Sequence, residues 1–194
     1  MQTAKKIVLA SSSPRRKMLL KQLGLSFIVD QSDYKEDMQI AKNPHVLVKT
    51  LSKEKAKSVA RNHSNALVIA ADSIVVLKKE FLGKPKDKKE AKEMLRKLSG
   101  ETHSIITGFT VFDTVTNKSV TKSQKTKIFM RKLSEDEVTA YLATGEPMDK
   151  AGAYGIQEKG AVFIEKIEGD FFNAVGLPLF SLARALKKFE VKVL

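Results

Sequence analysis

The sequence predicts an α/β protein, with a mixed sheet and flanking helices. Three features carry that expectation. Short β-branched apolar runs alternate with capped helical stretches, a long hairpin interrupts the alternation, and no flexible linker divides the chain. With 194 residues and 42% hydrophobic side chains, the chain can bury a real core, and a single domain over 1–194 is expected.

The elements follow in order. Ile7 to Ala10 is a short apolar strand. Pro14 to Leu23 is a helix, with Ser13 as its N-cap, Pro14 at a position where a missing N–H costs nothing, and Gly24 beyond its end. Phe27 to Val29 is a second strand, and Pro44 to about Arg61 a helix whose Val48, Leu51, Lys55 and Val59 share one face. Ala66 to Leu77, rich in β-branched residues, is a buried strand pair or one bent strand. Asp87 to Leu98 reads as a helix, with Asp87 and Glu90 at capping-box spacing and Gly100 just past it. Ser104 to Thr114 and Ser119 to Phe129 form the hairpin, joined through Thr116-Asn117-Lys118. Ser134 and Glu137 make a second capping box, opening a helix to about Thr144. Val162 to Ile167 is a strand, and the last helix runs from Pro178 to about Phe189.

Composition narrows the chemistry. The sequence has no cysteine, which excludes disulfides, thiolate zinc sites, iron–sulfur clusters and a cysteine nucleophile. Its net charge of +13 favours anionic partners without choosing among nucleotides, nucleic acid and acidic membrane surfaces. No apolar run approaches the roughly 20 residues a membrane span requires. The four-residue apolar run after Lys5 and Lys6 suits a first strand and not an export signal. A cytoplasmic protein without a membrane partner is the expectation.

Four segments could carry chemistry. Ser11-Ser12-Ser13-Pro14-Arg15-Arg16 places hydroxyls and guanidiniums at a strand-to-helix junction, where amide N–H groups and the helix dipole favour an anion. An ordinary serine cap followed by solvated arginines would read the same way. Ala70-Ala71-Asp72-Ser73 puts a carboxylate inside an apolar run. Asp72 must therefore be hydrogen-bonded, metal-bound or at a cleft mouth. Leu82-Gly83-Lys84-Pro85 lacks the Gly-rich loop of a nucleotide-binding P-loop, but Lys84 remains a point charge suited to phosphate. Asp149 to Gln157 includes Ala151, Gly152, Ala153 and Gly155, so its backbone comes close to a ligand or to another strand. Asp149, Lys150 and Gln157 are the polar groups there that could touch a ligand. His45, His63 and His103 lie in separate segments without metal-pair spacing.

Taken together, Leu9 to Arg16, Glu54-Lys55-Ala56, Ala71-Asp72-Ser73, Leu82 to Pro85, Leu98-Ser99-Gly100, Asp149 to Gln157 and Val175 to Pro178 resemble the Maf family of nucleoside triphosphate pyrophosphatases. The resemblance runs from Ile7 to about Leu179. It implies hydrolysis between the α- and β-phosphates with a divalent cation, Mg²⁺ or Mn²⁺. It also implies an elongated mixed α/β fold like that of inosine triphosphatase, with two lobes around a cleft, often as a homodimer. Carried over by position, Asp72 matches the family's catalytic acidic residue and Arg16 the second arginine of the N-terminal motif. Gln157 matches the glutamine of the branch acting on dTTP and UTP. Glu36 falls where the family has an acidic residue after its second strand. Ser73 departs from the family's usual threonine, keeping the hydroxyl and losing the methyl.

The residues suit that chemistry. A polyanionic substrate repels a nucleophile until cations offset its charge. Ser11, Arg16, Lys55, Ser73 and Lys84 are the expected substrate-binding groups alongside Gln157, and Asp72 and Glu36 the expected oxygen ligands for metal. Whether Asp72 serves as base, ligand or both is open at this stage. A second reading is a nucleic-acid-binding regulator of septum formation without significant hydrolase activity, to which the family is also linked. It draws on the charge, but no aromatic RNA-binding signature or helix-turn-helix pattern accompanies it.

Overall fold

The computed structural model describes residues 5–193. The chain divides into two compact units, the first comprising residues up to Asp72, Thr107–Gln124 and those from Gly176 onward, the second Ser73–Ile106 and Lys125–Val175. The described residues form a seven-stranded mixed sheet, in the order Ile28–Val29 (β2), Lys6–Leu9 (β1), Ala66–Leu77 (β3), Thr102–Asp113 (β5), Ser119–Met130 (β6) and Ile164–Glu168 (β7), with Glu80–Leu82 (β4) paired to β3.

In the first unit, β1 (Lys6–Leu9) lies between β2 (Ile28–Val29) and β3 (Ala66–Leu77), parallel to both, with Leu9 opposite Ile69. The Ala66–Leu77 segment is thus one strand, not a pair. The intervening helices are α1 (Pro14–Gln22) and α2 (Pro44–Ala60). Ser13 caps α1 by accepting from the Arg16 N–H, and Asn43 caps α2 by accepting from the His45 and Val46 N–H groups. The face of α2 read from the sequence is the buried one: Val48, Leu51, Lys55 and Val59 all point inward. Ala56 and Val59 join Val8, Ala10, Ala66, Val68 and Ala70 in one apolar cluster. Small strand residues let α2 approach closely. At Gly108 an added Cβ would lie 2.4 Å from the Val48 carbonyl oxygen, so only glycine fits.

The second unit holds β4 (Glu80–Leu82), antiparallel to the end of β3, and α3 (Lys88–Leu98). Asp87 caps α3 as expected, but Glu90 accepts from the Lys86 N–H at 2.7 Å, one residue beyond the reciprocal capping-box partner. The hairpin strands are β5 (Thr102–Asp113) and β6 (Ser119–Met130), each with residues in both units. Their turn places Asn117 at φ 54°, a left-handed conformation that asparagine tolerates. The complete capping box forms at α4 (Glu135–Ala143). Three 3₁₀ turns follow between Glu146 and Phe163, leading into β7 (Ile164–Glu168), which pairs antiparallel with β6. The short α5 (Phe171–Val175) ends this unit, and α6 (Leu179–Leu186) returns to the first. No described helix is long and apolar enough to cross a membrane.

One buried polar pair makes the second unit sensitive to acid. His103 on β5 is 2% exposed, and its Nε2 lies 2.5 Å from the Tyr154 hydroxyl. Burial lowers the imidazole from 6.5 to about 4. The folded protein therefore keeps His103 neutral where the unfolded chain takes up a proton. Its stabilising contribution is full above the unfolded value and declines as pH falls from 6.5 to about 4, a loss of about 3 kcal/mol. Urea midpoints measured across that range should fall more steeply for the native protein than for His103→Gln. Parallel curves would contradict the assignment.

Candidate active site

Two structural periods bring the central residues together. Along β3, side chains alternate, so the face that carries Val68 and Ala70 against α2 next presents Asp72. Along α2, one turn back from Val59 on the same face comes Lys55. The packed apolar interface thus ends in a carboxylate facing an ammonium. Lys55 Nζ donates to Asp72 Oδ1 and lies 2.6 Å from Glu36 Oε1. The Lys55 and Asp72 side chains are 11% and 8% exposed, against 47% for Glu36. The pair is buried; the second carboxylate is at the surface.

The same end of the parallel strands carries the serine–arginine segment. Ala10 N–H donates to the Ile69 carbonyl at 2.8 Å, extending the β1–β3 pairing to the residue before Ser11. Ligands in open α/β sheets bind beyond the carboxyl ends of parallel strands, and Ser11 and Asp72 both lie there. Arg16, in the first turn of α1, donates from Nη1 to Ser11 Oγ at 3.3 Å and from Nε to the Gly176 carbonyl at 3.0 Å. Gly176 has φ 125°, in the region that favours glycine. Ser11 Oγ also accepts from the Ser13 N–H at 3.3 Å. The junction is an organised cradle of donors, with Arg16 held in place by backbone.

The electrostatics are those of a buried carboxylate. Burial raises the Asp72 carboxyl above the ordinary range, with the Lys55 ammonium opposing and the Glu36 carboxylate adding to the rise. Burial lowers the Arg16 guanidinium, and Asp72 opposes that. A guanidinium starts high enough to remain a cation. Among the described residues, no three His, Asp or Glu side chains group as a metal site. The two that converge on Lys55 are hard oxygen donors, and a pair suffices for Mg²⁺ or Mn²⁺ that takes its remaining ligands from phosphate and water.

Ser11, Arg16, Glu36, Lys55 and Asp72 therefore come together within the first unit. The other expected residues belong to the second. Ser73 follows Asp72 on β3 and is half-buried, directed to the opposite face. Lys84 is exposed after β4, where the neighbouring Gly83 carbonyl accepts from the Gly152 N–H at 3.0 Å. Gln157 is exposed between buried Ile156 and the 3₁₀ turn Lys159–Phe163. The Lys150 side chain is 6% exposed, and its ammonium is engaged by Asp149 Oδ1 at 2.9 Å, the Glu146 carbonyl at 2.9 Å and Glu158 Oε2 at 3.2 Å. It holds the loop together. The Gly176 carbonyl beside Arg16 was not foreseen, because a backbone acceptor 160 positions away leaves no local signal.

Fold and site together define an α/β protein with a cradle of hydroxyl and guanidinium donors beside a buried carboxylate–ammonium pair. A family model described as Maf-like protein matches residues 6–189, and the chain belongs to that family. A dTTP/UTP pyrophosphatase of Methanosarcina barkeri (strain Fusaro / DSM 804) is 49% identical over 190 residues, covering 97% of this chain and 96% of that one. A dTTP/UTP pyrophosphatase of Bacillus anthracis is 44% identical, covering 97% and 98%. Among solved structures, the Staphylococcus aureus Ham1 protein matches with a TM-score of 0.55, covering 96% of this chain and all of that one. At 13% identity that likeness is one of fold.

Removing one partner of a buried ion pair costs far more than the pair itself contributes. Lys55→Met should therefore lower unfolding stability by about 3 kcal/mol. Adding Asp72→Asn should return at least about 1 kcal/mol of that loss, because the stranded charge is gone. Urea denaturation of the two single variants and the double variant measures the coupling. Strictly additive losses would mean that the two side chains do not interact.

Proposed function

We propose that the protein hydrolyses dTTP and UTP to the nucleoside monophosphate and pyrophosphate. The observation that carries this reading is the buried Asp72–Lys55 pair beside the Ser11–Arg16 cradle, in a chain 44–49% identical to proteins named for that activity. Ser11, Arg16 and the first turn of α1 bind phosphate oxygens, with forked and fixed donors matched to a tetrahedral anion. Lys55 offsets phosphate charge and holds Asp72 in one orientation. Lys84 is a further cation for the departing pyrophosphate.

Asp72 takes the proton from the attacking water. The water oxygen bonds to the α-phosphorus, and the bond from that phosphorus to the bridging oxygen breaks. Its electron pair leaves on pyrophosphate. Asp72 and Glu36 would hold the divalent cation, which when bound withdraws charge from the phosphates and acidifies its own water.

Gln157 is assigned to the base. Uracil and thymine present an N–H donor beside a carbonyl acceptor, and a glutamine amide supplies the complementary pair. Ser73 keeps a hydroxyl available for hydrogen bonding. A cytoplasmic location and a homodimer belong to the same reading, through the family resemblance. The regulator reading rests on net charge and on the family's link to septum formation, and the comparisons do not favour it.

A panel of nucleoside triphosphates with Mg²⁺ or Mn²⁺, scored for pyrophosphate release, tests the proposal. UTP and dTTP should be the preferred substrates. Asp72→Asn should remain folded and lose on the order of 10² or more in turnover, about 3 kcal/mol of transition-state stabilisation. Near-native turnover in that variant, or a preference for purine triphosphates, would overturn the assignment.

A further inference from the structure

The loop that carries Gln157 is clamped on both sides of that residue by side chains with no assigned role. Tyr141, on α4, is 3% exposed, and its hydroxyl donates to Glu146 Oε1 at 2.8 Å. The same hydroxyl accepts from the Gly155 N–H at 3.0 Å, two residues before Gln157. Glu146 completes the far side. Its Oε2 accepts from the Lys159 N–H at 3.0 Å and its Oε1 from the Gly160 N–H at 3.2 Å. Lys150 pairs with Glu158, the residue next to Gln157.

The close approach is built into the sequence. A Cβ at Gly160 would lie 2.5 Å from the Gly155 carbonyl oxygen and 2.7 Å from the Tyr141 hydroxyl oxygen. One at Gly155 would lie 2.6 Å from Lys150 Cε. Gly160 is needed for the loop to close on Tyr141, whereas a side chain at 155 would have to displace the end of Lys150. Phe163 packs edge-on against the Tyr141 ring at 4.9 Å between centroids, which fixes the phenol. Residues 155, 158, 159 and 160 are thus anchored while the Gln157 side chain is exposed. That is the arrangement of a rigid reader.

We propose that Tyr141 and Glu146 are positioning residues for nucleobase specificity, clamping the Gly155–Gly160 loop so that Gln157 meets the base edge in a single geometry. The inference rests on the reading of Gln157 as the base contact. Cytosine presents its donor and acceptor in the reverse order to uracil. A glutamine amide turns over by rotation about its own side chain and then accepts cytosine as well, unless neighbouring backbone groups hold it in one orientation. A loop that shifts carries those groups away, whereas an anchored loop keeps them beside the amide, and the mispaired edge is penalised.

The test measures kcat/KM for UTP and CTP in the native protein and in Tyr141→Phe, Glu146→Gln and Gln157→Glu. Tyr141→Phe keeps the ring and loses the hydroxyl. Glu146→Gln keeps the length and replaces one accepting oxygen with a donor. Each should lower the UTP:CTP ratio by roughly fivefold or more, mainly by improving CTP, a change that loss of fold stability alone does not produce. If Tyr141→Phe fails to fold, Glu146→Gln decides the matter. A shifted ratio in Gln157→Glu with native ratios in both clamp variants would overturn the clamp and leave the base contact standing. A native protein without discrimination, or an unchanged ratio in Gln157→Glu, would overturn the base contact and the clamp with it.

Discussion

The site depends on the contact between Lys55 and Asp72. A carboxylate inside a strand of alanine, valine and isoleucine cannot remain charged without a partner. The partner must come from the helix packed on that strand. The small residues of β1 and β3, with glycine at 108, let α2 come close enough for a lysine on its buried face to arrive as that partner. The packing of the first unit and the chemistry of its site thus have one origin. A larger residue at Ala56 or Ala70, both fully buried, would push α2 away and separate the charges.

Around that pair, the parallel arrangement of β1 and β3 supplies the rest. It places the end of β1, and with it Ser11 and the start of α1, at the end of the sheet where Asp72 emerges. Arg16 is anchored by the Gly176 carbonyl and so is held in one orientation. Preorganised donors of this kind are worth more than mobile ones, because they need no reordering as charge develops in the transition state.

Much of this was legible in the sequence. The burial of Val48, Leu51, Lys55 and Val59 followed from helical spacing, and the exceptional status of Asp72 from its apolar neighbours. The serine cap of α1 and the capping box of α4 were also readable, since both use contacts between residues three apart. The region from Glu146 to Phe163 was not. Its 3₁₀ turns have no hydrophobic period, and their course is set by Tyr141 and Glu146 bonding to backbone N–H groups 14 residues away, with Lys150 tied to the Glu146 carbonyl. For the same reason the sequence left the role of Lys150 open, whereas the structure shows its charge engaged inside the loop. The strand Glu80–Leu82 was too short to stand out, and it exists through its pairing with Val75 to Leu77.

The central claim is that water activated at Asp72 attacks the α-phosphorus. Hydrolysis of UTP in ¹⁸O-labelled water, with both products analysed by mass spectrometry, tests this most directly. The account predicts one labelled oxygen in the uridine monophosphate and none in the pyrophosphate. Label in the pyrophosphate, or orthophosphate as the first product, would place the attack on another phosphorus and contradict it.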